Sequence, residues 1–248
     1  MFTHFARADE ADKAFTHLQY ERYQKFHEGL ENAGVHIPMC HCANSAAIME
    51  LPRMGLDAAR AGITVYGLYP SDEVERNMKI YPAMEIRSFI TYVKEVEPGT
   101  PISYGGTFVT DRPMRIATIG AGYGDGYPRN LSGKGYVLIH GHRAPILGRV
   151  CMDQCMIDVT HVPYPRLSDE VTIMGKDGIY EISAEDIAKA TNTINYESAV
   201  RIRPEASEGL CVLDNTGQYM INVLTNRINT EEEKLFHCIF SYLDFLPF

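Results

Sequence analysis

The stretch HCANSAAIMELPRMGLDAARAGITVYGLYP, His41–Pro70, decides how the rest of the chain is read. It predicts a short strand ending near Cys42, a helix over Ala46–Leu51 opened by Asn44-Ser45, and a second strand over Thr64–Leu68. Ser45 suits an N-cap, and a helix N-terminus offers unpaired N–H groups and a positive dipole end to an anion. Gly62 permits close backbone approach, and successive N–H groups there can add a second anion contact. Arg60 stands just upstream as a fixed cation. Strand, anion turn, helix and strand with a nearby arginine make a phosphate cup. An ordinary αβ unit with a capping serine has the same spacing.

Upstream, Val35–Cys42 reads as the first of these strands. Before it, Phe15, Leu18, Tyr23, Phe26 and Leu30 recur at near-helical spacing, which predicts a helix over Asp9–Ala33 stopped by Gly34. Thr3-His4-Phe5-Ala6 resembles the end of a buried strand. Strand and helix in alternation imply parallel βα units over Met1–Ser71. Those units are too few to close a sheet or a barrel, so the start of the chain is expected to be truncated. Past a polar linker, Pro70–Asn77, the texture changes to short strand-like runs with Gly, Pro and Asp near their ends. These are Met84–Val96, Gly105–Thr110, Met114–Gly120, Gly135–His140, Ala144–Val150, Cys155–Val159, Glu170–Gly175 and Gly178–Ile182, with one helix over Ala184–Thr191. The expected organisation is α/β over 1–82, a compact, mostly-β domain over 83–200, and an atypical tail over 201–248.

Composition narrows the function classes. Thirty-two acidic against 23 basic residues give a net charge of −9 without a dense basic run, which disfavours nucleic acid or an anionic membrane as partner. Six cysteines in 248 residues are too few for a disulfide scaffold, and MFTHFARADE is no signal peptide, so a reduced, cytoplasmic protein is expected. Cys40-His41-Cys42 invites a metal reading, but neighbours on a strand face opposite ways, and buried structural thiols are the expectation. No metal is expected.

Three further segments can carry chemistry. In ISYGGTF, Tyr104 precedes two glycines that let a ligand or another chain approach the ring, and a tyrosine beside cations can act as general acid or base. GYGDGYPR, Gly122–Arg129, has a glycine at every second position over Gly122–Gly126, but no helix follows, so it reads as a tight turn presenting Tyr123 and Arg129. Arg149-Val150-Cys151-Met152-Asp153 ends a strand, and Ile194-Asn195-Tyr196-Glu197 follows a helix. Each segment alone is compatible with a plain structural turn.

Together they resemble the alanine racemases, pyridoxal-phosphate enzymes of the type-III fold. THFARADE (3–10), HCANSAA (41–47), RAGITVYG (60–67), SYGGTF (103–108), GYGDGYPR (122–129), GRVCMDQCM (148–156) and INYE (194–197) run in family order. The resemblance implies an N-terminal (β/α)8 barrel that holds pyridoxal 5′-phosphate and a C-terminal β domain. It also implies a homodimer in which each β domain lies over the partner's barrel. It assigns the cofactor phosphate to Ser45, the N–H groups of Gly62 and Ile63, and the Tyr196 hydroxyl. Arg60 faces the pyridine nitrogen with His41 as its partner, and His4 packs near the ring. Tyr104 is the implied catalytic base, working in the partner's site on the face opposite the cofactor lysine. Met152, Asp153 and Tyr123 line the substrate site, and Asp9, Arg129 and Arg149 the access corridor. The implied reaction interconverts L- and D-alanine by two-base proton transfer, supplying D-alanine for peptidoglycan.

Two departures stand out. No lysine here lies in the family's Schiff-base motif, and the early part of the barrel is missing, so the isolated chain is expected to be an inactive fragment with weak cofactor affinity. The alternative is a non-catalytic dimerising or cofactor-binding module, or half of a split enzyme. Arg203–Leu210 reads RPEASEGL where the family has a basic strand, so Ser198–Phe248, at least from about Arg203, is expected to be a frameshifted tail.

Overall fold

The structure, a computed structural model, describes residues 1–202 and the backbone of Leu210–Leu213. The chain divides into two compact units, Met1–Ala83 and Met84–Phe248.

The first unit carries helices α1 (Ala14–Asn32) and α2 (Ser45–Glu50) and 3-10 turns over Pro52–Met54 and Ile63–Tyr66. Its strand pairing is reduced to two parallel bridges on one residue, Phe2 with His41 and His41 with Ala58. Val35–Cys42 therefore forms no full strand, and only His41 keeps strand partners. Thr64–Leu68 is a correction too. The Ile63–Tyr66 turn closes through Val65 N–H to Gly62 O (3.0 Å) and Gly67 N–H to Thr64 O (3.0 Å). Ile-Thr-Val has strand propensity, but its backbone is bent by these local bonds. Gly67 ends the turn at φ +72°, where a Cβ would fall 1.6 Å from the Tyr81 carbonyl oxygen.

Helix α1 starts later than its apolar spacing suggests. The Lys13 ammonium binds the carbonyls of Ala8 (2.8 Å) and Glu10 (2.5 Å) and the Glu50 carboxylate, which holds the preceding turn out of the helix. Its expected apolar stripe is largely open. Phe26 is 64% exposed and Phe15 and Leu18 40% each, whereas Tyr23 is buried. The core is instead built from Phe5, Tyr23, Cys40, Cys42, Ala46 and Met49.

The second unit is antiparallel. Its strands are β1 (Glu85–Val96), β2 (Pro101–Ile102), β3 (Phe108–Val109), β4 (Met114–Ile119), β5 (Tyr136–Ile139), β6 (His142–Leu147), β7 (Cys155–Asp158), β8 (Glu170–Asp177), β9 (Tyr180–Ile182) and β10 (Leu210–Leu213). The main sheet runs β10-β1-β4-β7-β6-β5-β8-β9, and β1 also pairs with β8. That extra pairing closes β1-β4-β7-β6-β5-β8 into a barrel. Strand β1 serves three neighbours: Glu85–Ser88 pairs with β10, Ile86–Phe89 with β8 and Ile90–Val96 with β4, with a register shift between Ile90 and Tyr92. Ile86, Ile90, Val137, Ile157 and Ile173 are almost wholly buried and form its filling, while Ile116 packs with Ile102, Met114 and Leu147 in a separate cluster. Closure removes the sheet edges on these strands.

Helix α3 (Ala184–Thr191) follows, opened by a reciprocal cap. Ser183 Oγ accepts from Asp186 N–H at 3.0 Å, and Asp186 Oδ2 accepts from Ser183 N–H at 2.9 Å. Helix α4 (Asn195–Val200) ends the continuous described segment. The expected strand over Gly105–Thr110 shrinks to β3, because Tyr104–Gly106 is a 3-10 turn. The expectation of a frameshifted tail from about Arg203 falls, apart from the backbone of Leu210–Leu213, outside the described residues.

Candidate active site

In the first unit the turn around Gly62 folds onto Ser45. Asn44, not Ser45, caps α2, its side chain accepting from Ala47 N–H at 3.1 Å. Ser45 is thereby the first helical residue, and its buried hydroxyl is left to face the turn. Ser45 Oγ accepts from Gly62 N–H (2.9 Å) and Thr64 N–H (3.4 Å), and the Thr64 hydroxyl donates to it at 3.2 Å. With its lone pairs taken, the serine has its O–H proton to offer an oxyanion. A Cβ at Gly62 would come within 3.4 Å of Ser45 Oγ. Helix α2 has only 6 residues, so the cup rests on hydroxyls and turn N–H groups rather than on a long helix dipole. Thr64 is a member that the sequence does not reveal, because the β-branched run around it reads as a strand.

Arg60 lies in the same unit and is held from several directions. Nη2 donates to Thr3 O (2.9 Å) and Cys42 O (3.2 Å) and lies 3.3 Å from His4 Nδ1, while Nη1 meets His41 Nδ1. The guanidinium sits 5.4 Å from the Phe2 ring centroid, and Phe2 stacks on His41 at 5.4 Å with an interplanar angle of 4°. Burial, then the Arg60 charge, then the chain's N-terminal ammonium push the His41 pKa down. A neutral imidazole accepting at Nδ1 suits an arginine donor. Asp9 lies on a loop tied by Ser71 Oγ to its carbonyl at 2.7 Å.

The second unit gathers most of the remaining residues on one set of loops. Tyr123 N–H donates to Cys151 O (2.9 Å) and Gly124 N–H to Met152 O (2.7 Å). Ser103 Oγ donates to Arg149 O (2.6 Å), and Val150 N–H donates to Ser132 Oγ (2.9 Å), which itself donates to Arg129 O (2.6 Å). These bonds join the loops of Tyr104, Tyr123, Arg129 and Arg149–Asp153. Their side chains face outward: Tyr104 is 72% exposed, Met152 55% and Tyr123 41%. Gly122 permits the close approach of the Met152 loop, since a Cβ there would fall 2.1 Å from Met152 O. Beneath the loops, burial raises the pKa values of Tyr127 and Cys155. Tyr196 is half-buried in α4, where Glu197 accepts from the Thr193 hydroxyl and the Arg201 guanidinium, both at 2.6 Å.

Comparison with known proteins places these two groups of residues in one lineage. Residues 1–70 match the family model for the alanine racemase N-terminal domain, and residues 83–208 that for its C-terminal domain. The chain belongs to the alanine racemase family. The alanine racemase of Halothermothrix orenii is 50% identical over 197 residues, covering 79% of this chain and 52% of that protein. That of Desulforamulus reducens is 49% identical over 198 residues, or 79% and 53%. The chain thus spans about half the length of these racemases. Among solved structures, Clostridium difficile alanine racemase in complex with cycloserine superposes with TM-score 0.78 at 42% identity, covering 83% of this chain and 54% of that one. Bacillus anthracis alanine racemase with bound L-Ala-P gives TM-score 0.79 at 38% identity, covering 83% and 53%. The fold is that of part of the racemase α/β barrel followed by the family's β domain. Among the described residues no group of three or more His, Cys, Asp or Glu is placed to hold a metal, and no helix is long and apolar enough to cross a membrane.

Proposed function

We propose that this chain supplies part of an alanine racemase active site and holds pyridoxal phosphate by its phosphate. The observation that carries the reading is the cup in which the Ser45 hydroxyl meets the Gly62 and Thr64 N–H groups, in the same unit as the clamped Arg60. The Ser45 hydroxyl, whose oxygen takes the Gly62 and Thr64 N–H groups and whose proton is left to donate, fits a phosphate oxygen. When bound, pyridoxal phosphate supplies electron withdrawal that loosens the α-proton of an amino acid.

The chain's own residues then do the binding and the proton handling. Ser45, Gly62 and Ile63 hold the phosphate, and the family resemblance gives Tyr196 a hydroxyl for the same task. Arg60 would stand at the pyridine nitrogen, and as an arginine that keeps its proton near neutral pH it would have none to give up there. His41 and the carbonyls of Thr3 and Cys42 keep the guanidinium in place. His4 packs beside it. Tyr104 moves the α-proton on one face of alanine. The Met152 N–H, Asp153 and Tyr123 hold the substrate, and Asp9, Arg129 and Arg149 line the approach to it. The working assembly is a cytoplasmic homodimer in which the β domain serves the partner's cofactor.

The test is absorbance titration of the full chain with pyridoxal phosphate, followed by mixing with a separately made lysine-bearing segment of the Halothermothrix relative. Reversible binding that S45A weakens about tenfold, equal to 1.4 kcal/mol, and alanine racemisation only in the mixture are the expected results. Absence of binding, or binding indifferent to S45A, overturns the reading.

A further inference from the structure

Tyr104 leaves the surface from a loop whose backbone is costly, and the cost is concentrated at Ser103. Ser103 has φ 65° and ψ 179°, a region almost reserved for glycine. Asn192, by contrast, has φ 58° and ψ 51°, an ordinary left-handed helix cap. The two residues after Tyr104 are glycines at φ +74° and +54°. A glycine at 103 would adopt the same conformation freely, so a serine here has to be held.

It is held through its side chain. Ser103 Oγ donates to Arg149 O at 2.6 Å and lies 3.6 Å from the buried Cys151 Sγ. Gly148, at φ +69°, makes the approach possible, because a Cβ there would lie 2.8 Å from Ser103 Cβ and 2.7 Å from Ile102 O. On the other side of the tyrosine, Gly106 N–H donates to Ser103 O at 3.1 Å. The Arg149 side chain lies along Gly105, where a Cβ would meet Nη1 at 3.3 Å. The Tyr104 ring itself is 72% exposed, so little packing in this unit fixes its direction. Its direction comes from the backbone at its root.

We infer that Ser103 is the positioning residue for Tyr104: its strained backbone, tied by Oγ to the Arg149 carbonyl, aims the phenol and limits its sweep. The inference deepens the proposed function, since it rests on Tyr104 as the proton-transferring group. It also explains why Arg149 sits where it does. One residue supplies the carbonyl that anchors Ser103 and the guanidinium that covers Gly105.

S103G separates positioning from mere stability, because glycine keeps the conformation without strain and loses only the tie. The full chain is labelled with 3-fluorotyrosine, and the Tyr104 resonance is assigned by its loss in Y104F. In S103G the expected results are a shifted, narrowed Tyr104 signal and Gly106 amide exchange about tenfold faster, with the melting temperature unchanged or higher. S103A, which loses the tie but keeps the strain, moves the Tyr104 signal in the same direction. In the mixed assembly S103G lowers kcat and leaves KM for alanine unchanged. An unmoved Tyr104 signal in both variants overturns the inference. The fluorine signal needs no turnover, so a wild-type mixture that fails to racemise alanine counts against the proposed function and not against the role of Ser103.

Discussion

Replacing Gly122 with alanine probes the junction that carries Tyr123, Met152 and Asp153. Gly122 has φ −146° and ψ −176°, extended backbone that any residue adopts, so the substitution has no conformational penalty. Its whole effect is steric. The new Cβ would fall 2.1 Å from Met152 O, 2.3 Å from Met152 C and 2.5 Å from Asp153 N, all backbone atoms that cannot swing aside. Relief requires the two loops to part by about 1 Å or more, since carbon–carbon contacts relax only near ~3.5 Å. Parting breaks Tyr123 N–H to Cys151 O (2.9 Å) and Gly124 N–H to Met152 O (2.7 Å), and disturbs Gly122 N–H to the buried Asp125 carboxylate (2.8 Å). At about 1 kcal/mol for each neutral bond and about 2 for the charged one, the loss is roughly 3–4 kcal/mol. For a domain of this size that lowers the melting temperature by on the order of 10 °C.

Gly133 is the matched control, with φ +65° and nothing within 4 Å of its would-be Cβ. G133A therefore carries a conformational cost alone, about 1 kcal/mol. Thermal and urea unfolding of the full chain, followed by circular dichroism, measure both variants. If G122A unfolds within ~0.5 kcal/mol of the unmutated chain, or less readily than G133A, the steric account of this junction is wrong.

Arg60→Gln removes the charge that helps hold His41 down, so the His41 resonances should titrate at higher pH in the variant; an unchanged titration contradicts the contact between them. The depressed His41 pKa also fixes a sign. The folded state prefers the neutral ring, so this contribution to stability is complete above the unfolded value of about 6.5 and is lost as pH falls from there through the lowered folded value. A pH series of urea midpoints should flatten over that window in H41Q. Glu197 behaves in the acid range: the Thr193 hydroxyl first, and the Arg201 charge with it, lower its pKa. Its contribution is present above the unfolded carboxylate value and fades as pH falls through the folded one, and T193V should weaken it in the same midpoints while leaving the part due to Arg201. Gly29 lies inside α1 with nothing within 4 Å, so G29A should stabilise the chain by about 0.5–1 kcal/mol in urea unfolding.

Much of the second unit was readable because its signals are local. Short apolar runs ended by Gly, Pro and Asp mark β1, β4, β5 and β7 to within a few residues, and Ala184–Thr191 reads as the helix it forms. The apolar stripe of α1 was legible as a helix but misleading as a core, since period shows which residues share a face and not what covers it. Thr64–Leu68 failed for the opposite reason. Its β-branched residues favour a strand, and the turn they form is fastened by a serine 19 positions away from Thr64. Ser45 reads as the cap, but Asn44 takes that place, because the two compete for the same position and only the backbone geometry decides.

By itself the sequence determined the lineage, the change of texture from α/β to β, and which side chains were worth following. Those depend on residue identity, spacing and turn chemistry, all carried along the chain. Tertiary structure alone decided that β1 meets β8, with Ile86 opposite Met174, and so closes the barrel. It alone turned the Ser45 hydroxyl toward Gly62, drew Arg60 onto Thr3, His41 and Cys42, and bent Ser103 to aim Tyr104. The physical reason is the same in each case. A hydrogen bond or a close approach between distant residues is set by where the whole fold puts two backbones, and no short window of sequence contains both partners.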